Sequence, residues 1–163
     1  MQYDALDDQV RRYMLEELAS DIAAKRLYES RRMSGAGLLA WPSLLMEAFE
    51  SHDDLWLAAR IAGYIVVTER TARGLRSVPH DAHLTLAEGQ FNRFYLRGLC
   101  RLRLEPGQSG RIQLYRGKQA RAPRRHSEAL VGTFRDAREL LEDLRLNQFD
   151  AAIGLANSGL TGR

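Results

Sequence analysis

Leu6, Val10, Met14, Leu18 and Ile22 recur at every fourth position near the start of the chain, with Tyr13, Leu15 and Leu27 beside them. One face of a helix with about 3.6 residues per turn collects such a set, so the spacing predicts an amphipathic helix from Asp4 to about Arg32. About 29 residues at about 1.5 Å each make about 43 Å, more than a compact domain of this size normally spans. Part of that helix is therefore expected to pack on another chain, which makes further protein subunits, self or foreign, the first expected partner.

Glycine tolerates the left-handed backbone of a helix end, so Ser34-Gly35-Ala36-Gly37 reads as the stop. Trp41-Pro42-Ser43 then opens a second helix with Leu44, Leu45, Ala48 and Phe49 inward, since proline is tolerated in a first turn. Ser51-His52-Asp53-Asp54 reads as a cap and first turn for a third, running to about Ala62 and burying Leu55, Trp56, Ala59 and Ile61.

Tyr64 to Thr68 is β-branched enough for a short strand or for the end of the preceding helix. The stretch 69–83 has weak periodicity and reads as an exposed connection with a hairpin return near Leu75–Val78. Thr85 to Glu88 has the form of a capping box, and Phe91, Phe94, Tyr95, Leu99 and Leu102 follow at helical spacing, giving a fourth helix, about 86–104, at the centre of the core. Pro106-Gly107 stops it. Arg111 to Arg116 alternates apolar and polar as a half-buried strand does. A basic loop to His126, a helical turn over Ser127–Leu130 and a last helix capped at Asp136, with Leu140, Leu141 and Leu144, complete the reading.

The expected fold is α+β and α-dominant: a long N-terminal amphipathic helix, three to four further helices, and a small antiparallel β element drawn from 64–68, 75–78 and 111–116. Residues 1–146 form one globular domain, helical over 1–63 and basic α/β over 64–146, and 147–163 is a glycine-containing tail.

Charge is segregated along this frame. Residues 1–57 carry 6 basic and 11 acidic side chains, 58–126 carry 14 and 4, and 127–163 carry 4 and 6, so a block of +10 lies between acidic flanks. Nearly all the cations are arginine, whose planar fork suits phosphate or carboxylate.

Arg93, Arg97 and Arg101, four apart, align three guanidinium groups along one side of the fourth helix, with Asn92 next to them. Such a row can track phosphates while Asn or Arg reads base edges; equally, it can pair with acidic side chains of the first helix. Arg116, Lys118, Arg121, Arg124 and Arg125 put five cations into ten residues with no acid among them, beside Tyr115, which can stack on a base. These nine residues are the candidate nucleic-acid contacts. Three helices, the arginine helix, then a strand and basic loop also have the outline of a winged helix-turn-helix, which makes a soluble DNA-binding regulator the alternative function.

Enzymatic chemistry finds little purchase. His80 and His83 stand three apart but lack the three or four ligands zinc takes. Cys100 lies among apolar residues as a small hydrophobe, His126-Ser127-Glu128 are neighbours in sequence, which triads are not, and Gly35-Ala36-Gly37 lacks the strand and lysine of a phosphate loop. Asp53-Asp54 is a helix first turn, and Trp41 and Trp56 are anchors. No catalytic residue, metal, cofactor or small-molecule substrate is expected. No stretch is apolar enough for a membrane span and the acidic start is unlike a secretory signal, so no membrane partner is expected.

Phe91-Asn92-Arg93-Phe94-Tyr95-Leu96-Arg97-Gly98-Leu99-Cys100, Leu114-Tyr115-Arg116-Gly117-Lys118, Ser127-Glu128-Ala129-Leu130-Val131-Gly132 and Asn157-Ser158-Gly159-Leu160 resemble an uncharacterised family of tailed-bacteriophage and prophage-associated proteins. The resemblance covers about 84–163 and, loosely, the helical half. It implies a non-enzymatic structural or assembly protein of the virion, located in a bacterial host cytoplasm or in the particle itself, with no site residues carried over. Arg101 to Gly107 departs from the more acidic helix end expected of that family.

Overall fold

The computed structural model describes residues 2–116, 129–146 and 160–162, and every structural statement below concerns these. The fold is α-dominant α+β. The elements are α1 (Asp8–Ala23), α2 (Gly35–Ser51), α3 (Asp54–Ile61) with a 3₁₀ turn (Ala62–Tyr64), β1 (Thr68–Thr71), β2 (Gly74–Ser77), α4 (Ala82–Arg103), β3 (Arg111–Arg116), β4 (Phe134–Asp136), α5 (Ala137–Leu146) and β5 (Leu160–Gly162).

α1 is 16 residues long, not about 29. Asp7 caps its start by accepting from the Val10 N–H at 2.8 Å. It stops at Lys25, whose backbone turns left-handed at φ 53°. There the Arg26 and Lys25 N–H groups donate back to the Asp21 and Ile22 carbonyls at 2.8 and 3.0 Å, a Schellman closure made without glycine. At about 24 Å the helix fits inside the domain, and the length argument for a second chain falls.

Ser34 begins a helix instead of ending one: its side chain accepts from the Gly37 N–H at 3.2 Å, and α2 runs straight through Pro42. A proline there removes one rung of the hydrogen-bond ladder. The α2 C-terminus is closed from α1, where Arg11 donates to the carbonyls of Phe49 (2.8 Å) and His52 (3.0 Å). In α3 the cap is Asp53, accepting from Trp56 N–H at 2.8 Å, and not Ser51. The buried face is Leu57, Ala58 and Ile61, with Leu55 and Ala59 exposed and Trp56 half-buried, in place of the expected Leu55, Trp56, Ala59 and Ile61.

α4 occupies the centre, packed on α1, α3, α5 and β3. Its residues from Gly89 to Cys100 are all buried. Gly98 brings α4 close to α1, because a Cβ there would lie 2.9 Å from the Val10 carbonyl oxygen and 3.1 Å from Met14 Cγ. One apolar cluster runs from Val10 through Trp41, Phe49 and Phe94 to Leu144, so the helical and basic halves share a core.

The strands form two sheets, not one. β1 and β2 make an isolated hairpin, Thr68 opposite Ser77 and Thr71 opposite Gly74. Chain 64–68 is a 3₁₀ turn followed by a single bridge from Ile65 to Met33, and the strand begins only at Thr68. β3 is the middle of the second sheet, with β4 on one side (Arg111 opposite Asp136) and β5 on the other (Leu114 opposite Gly162). Ile112 and Leu114 point into the core. Asp136 caps α5 by accepting from Arg138 and Glu139 N–H groups at 2.9 and 3.0 Å.

Candidate nucleic-acid interface

The arginine row of α4 lies inside the fold. Arg97 is fully buried, Arg93 is 2% exposed and Asn92 is buried beside them. The reason is on α1, where Glu17 and Asp21, themselves four apart, meet the row across the close approach at Gly98. Arg97 donates to Glu17 Oε2 through Nε (2.9 Å) and Nη2 (2.7 Å), and to Asp21 through Nη1 (2.5 Å) and Nη2 (3.1 Å). Its guanidinium also stacks 4.7 Å from the Phe94 ring centre. Arg101, one third exposed, reaches Glu16 at 2.8 Å and Glu17 at 3.0 Å and covers the Tyr13 ring. Arg93 donates to the carbonyl of Leu144 on α5. Arg145, also on α5, grips Glu17 with Nε (2.9 Å) and Nη2 (2.5 Å).

Glu17 thus accepts from three arginines on two helices. Burial alone would push its carboxyl up, but Arg145, Arg97 and Arg101 outweigh it and hold the group at about 2. Burial, seconded by neighbouring Arg97, brings Arg93 down to about 10. The four most buried members, Arg93, Arg97, Glu17 and Asp21, sum to zero, which is what allows the cluster to leave water.

As a nucleic-acid surface, then, Asn92, Arg93, Arg97 and Arg101 are corrected: the first three have no solvent face and the fourth is held by two carboxylates. An α4 buried along Gly89–Cys100 cannot lie in a major groove as the recognition helix of a winged helix would. Of the other candidates, Arg116 closes β3 by pairing with Leu160, while Lys118, Arg121, Arg124 and Arg125 lie outside the described residues. Tyr115 is half-buried; its hydroxyl accepts from the Asp4 N–H and donates to the Gln2 carbonyl, both at 3.4 Å.

The structure exposes a basic feature that periodicity missed. The β1–β2 hairpin carries Arg70, Arg73 and Arg76, all exposed, against one carboxylate, Glu69. Arg32 takes that carboxylate in a two-point pair, Nε and Nη2 each at 3.0 Å. Val67 and Leu75 are 82% and 73% exposed on the same arm. A strand pair buried on neither face has no reason to alternate, so the only sequence signal was three arginines around Ala72-Arg73-Gly74, a two-residue turn closed by glycine at φ 107°.

Burial raises the Cys100 thiol well above its ordinary value. His80 is exposed and His83 half-buried, and no group of three or more metal-ligating side chains occurs among the described residues. His126 and Ser127 lie outside them. No described helix is long and apolar enough to cross a membrane. No family model, no curated protein and no solved structure matches this chain.

Proposed function

We propose that this chain is a non-catalytic structural or assembly protein of a tailed-phage-type particle, touching packaged nucleic acid through a basic surface and neighbouring subunits through an apolar one. The phage setting rests on the resemblance of about 84–163. The observation that carries the nucleic-acid contact is the hairpin: Arg70, Arg73 and Arg76 stand in solvent while the only carboxylate among them is taken by Arg32. A two-stranded ribbon of this kind fits a major groove about 12 Å wide. The uncompensated run Arg116–Arg125 adds charge of the same sign.

Support for the protein contact comes from α1 and α2. Between them runs an apolar groove of about 450 Å³ lined by Leu15, Leu18, Ile22 and Met46. Leu39, 86% exposed two turns before Met46 on α2, projects from the same helix. A groove and a knob on one helix suit a twofold contact with a second copy of this chain.

The test is titration of random duplex DNA at several salt concentrations, with the mass in solution recorded for the protein and for Met46→Asp. The reading expects affinity that falls steeply with salt, little preference among sequences, and a multimer that Met46→Asp reduces to a monomer. A monomer without DNA affinity at near-physiological salt overturns it; discrimination of one site by several kcal/mol points instead to a regulator.

A further inference from the structure

We propose that a second copy of this chain docks on α2 in the antiparallel sense, with the twofold axis crossing the helix beside Ser43, so that Leu39 of each chain fills the α1–α2 groove of the other. The inference deepens the protein-contact half of the proposed function and rests on it.

Ala36, Leu39, Ser43, Met46 and Glu50 follow one another in steps of three and four along α2, and all five are exposed. Such steps gather side chains into a single seam, the spacing by which helices pair. The opposite side of α2 faces the core through Gly37, Trp41, Leu45, Ala48 and Phe49, so the seam takes no part in holding the helix to its own domain. Leu39, at 86%, is the most exposed large apolar side chain among the described residues. Two turns further on, Met46 forms one wall of the groove with Leu15, Leu18 and Ile22 of α1 opposite. Ala36 and Ser43 on either side of Leu39 are small, which lets a second helix come near.

A protrusion and a hollow on one helix select the occupant. A foreign ligand in the groove leaves Leu39 in water, whereas a second copy covers both, because in a twofold contact what one chain offers the other receives. The sense follows as well. Parallel helices related by a twofold set each residue beside its own copy, so Leu39 would meet Leu39. Only the antiparallel sense carries it about 10.5 Å along the helix to the partner's Met46, and the axis then passes midway, at Pro42-Ser43.

Charge agrees with that sense. Glu47 and Glu50 are exposed near the C-terminus of α2, the end at which the helix dipole disfavours an acid, while its first turn has no acid and its last turn no base. Parallel pairing would bring four carboxylates together. Antiparallel pairing separates them two and two and sets each pair against the start of the other helix, where the dipole favours them.

Cys100 is buried, so a cysteine placed at Ser43 is the one accessible thiol of the chain. Ser43→Cys, with Thr85→Cys as an exposed control on α4, is treated with a mild oxidant and with a short bismaleimide, and sedimentation gives the mass of wild type, Leu39→Asp and Met46→Asp. A disulfide needs Cα atoms within about 7 Å of each other, which a twofold axis supplies only to residues beside it. Ser43→Cys is expected to form a covalent dimer at least about tenfold faster than Thr85→Cys, since neighbouring thiols see an effective concentration well above that of the protein. Leu39→Asp is expected to be a monomer with the far-ultraviolet circular dichroism of wild type, because the side chain it replaces stands in solvent. A multimer lost in Met46→Asp but kept in Leu39→Asp, or one in which Ser43→Cys cross-links no faster than the control, overturns this inference and leaves the proposed protein contact standing. A wild-type chain that is monomeric overturns both.

Discussion

Arginine does opposite things in two regions of this molecule. In the seam between α1, α4 and α5, Arg97 is fully buried between Glu17 and Asp21, Arg93 is buried against the Leu144 carbonyl, and the half-buried Arg101 and Arg145 close on Glu17 from the rim. On the β1–β2 arm arginine is exposed, and the single carboxylate nearby belongs to Arg32. The difference is not in the arginines, whose spacing on α4 is the more regular, but in what stands opposite. Glu17 and Asp21 repeat the four-residue step of the row they face, and Gly98 lets the two helices come close enough for the steps to meet. Among the described residues the arm meets no such counterpart. Charge repeated along a helix therefore marks a face without saying whether that face is covered.

That contrast yields predictions of decreasing size. Glu17→Ala strands Arg97, Arg101 and Arg145, and is expected to cost about 3–5 kcal/mol in urea unfolding, the usual penalty for breaking a buried charge cluster from one side. Acid should attack the same point. The Glu17 carboxyl falls from its ordinary 4.5 to about 2 on folding, so its contribution is complete above pH 4.5 and disappears as pH falls from 4.5 to 2. About 3 kcal/mol of pH-dependent stability, present in wild type and missing in Glu17→Gln, is the expected difference. Gly98→Ala, which drives a methyl toward the Val10 carbonyl, should lose about 1–3 kcal/mol and loosen the seam without removing a charge. Smallest in stability is the arm: Arg70→Ala/Arg73→Ala/Arg76→Ala should unfold within about 0.5 kcal/mol of wild type. The same variant should flatten the salt dependence of duplex binding, by about 0.9 in log–log slope for each phosphate it no longer neutralises.

Much of this fold can be read from residue order where a buried face imposes a period. α4 as the central helix, β3 over 111–116 and Asp136 as the cap of α5 are such cases, each with apolar residues that must point one way. The failures have equally local causes. Ser34-Gly35-Ala36-Gly37 contains both a start signal and a stop signal, and the true stop, Lys25, is a residue that does not advertise a left-handed backbone. Pro42 could be placed in a first turn from sequence but is tolerated deep in α2. In α3 the helical spacing of Leu55, Trp56, Ala59 and Ile61 competes with that of Asp54, Leu57, Ala58 and Ile61, and packing on α4 selects the second set. Of the arm, the return near Leu75–Val78 is legible and corresponds to β2, whereas its first strand and its basic face escaped because burial, the origin of alternation, is missing there. For the candidate site, the two roles open to the α4 row, phosphate contact or pairing with α1, differ only in tertiary placement.

The central claim, that the α4 arginines are interior partners of α1 and not a surface, is tested most directly by a double-mutant cycle between Glu17→Met and Arg97→Met in urea unfolding. Each single change should cost several kcal/mol by leaving a buried charge without its match. The pair together should cost at least about 2 kcal/mol less than their sum. Two small and additive effects, each below about 1 kcal/mol as for a solvent-exposed pair, would contradict the account and return the arginine row to the surface.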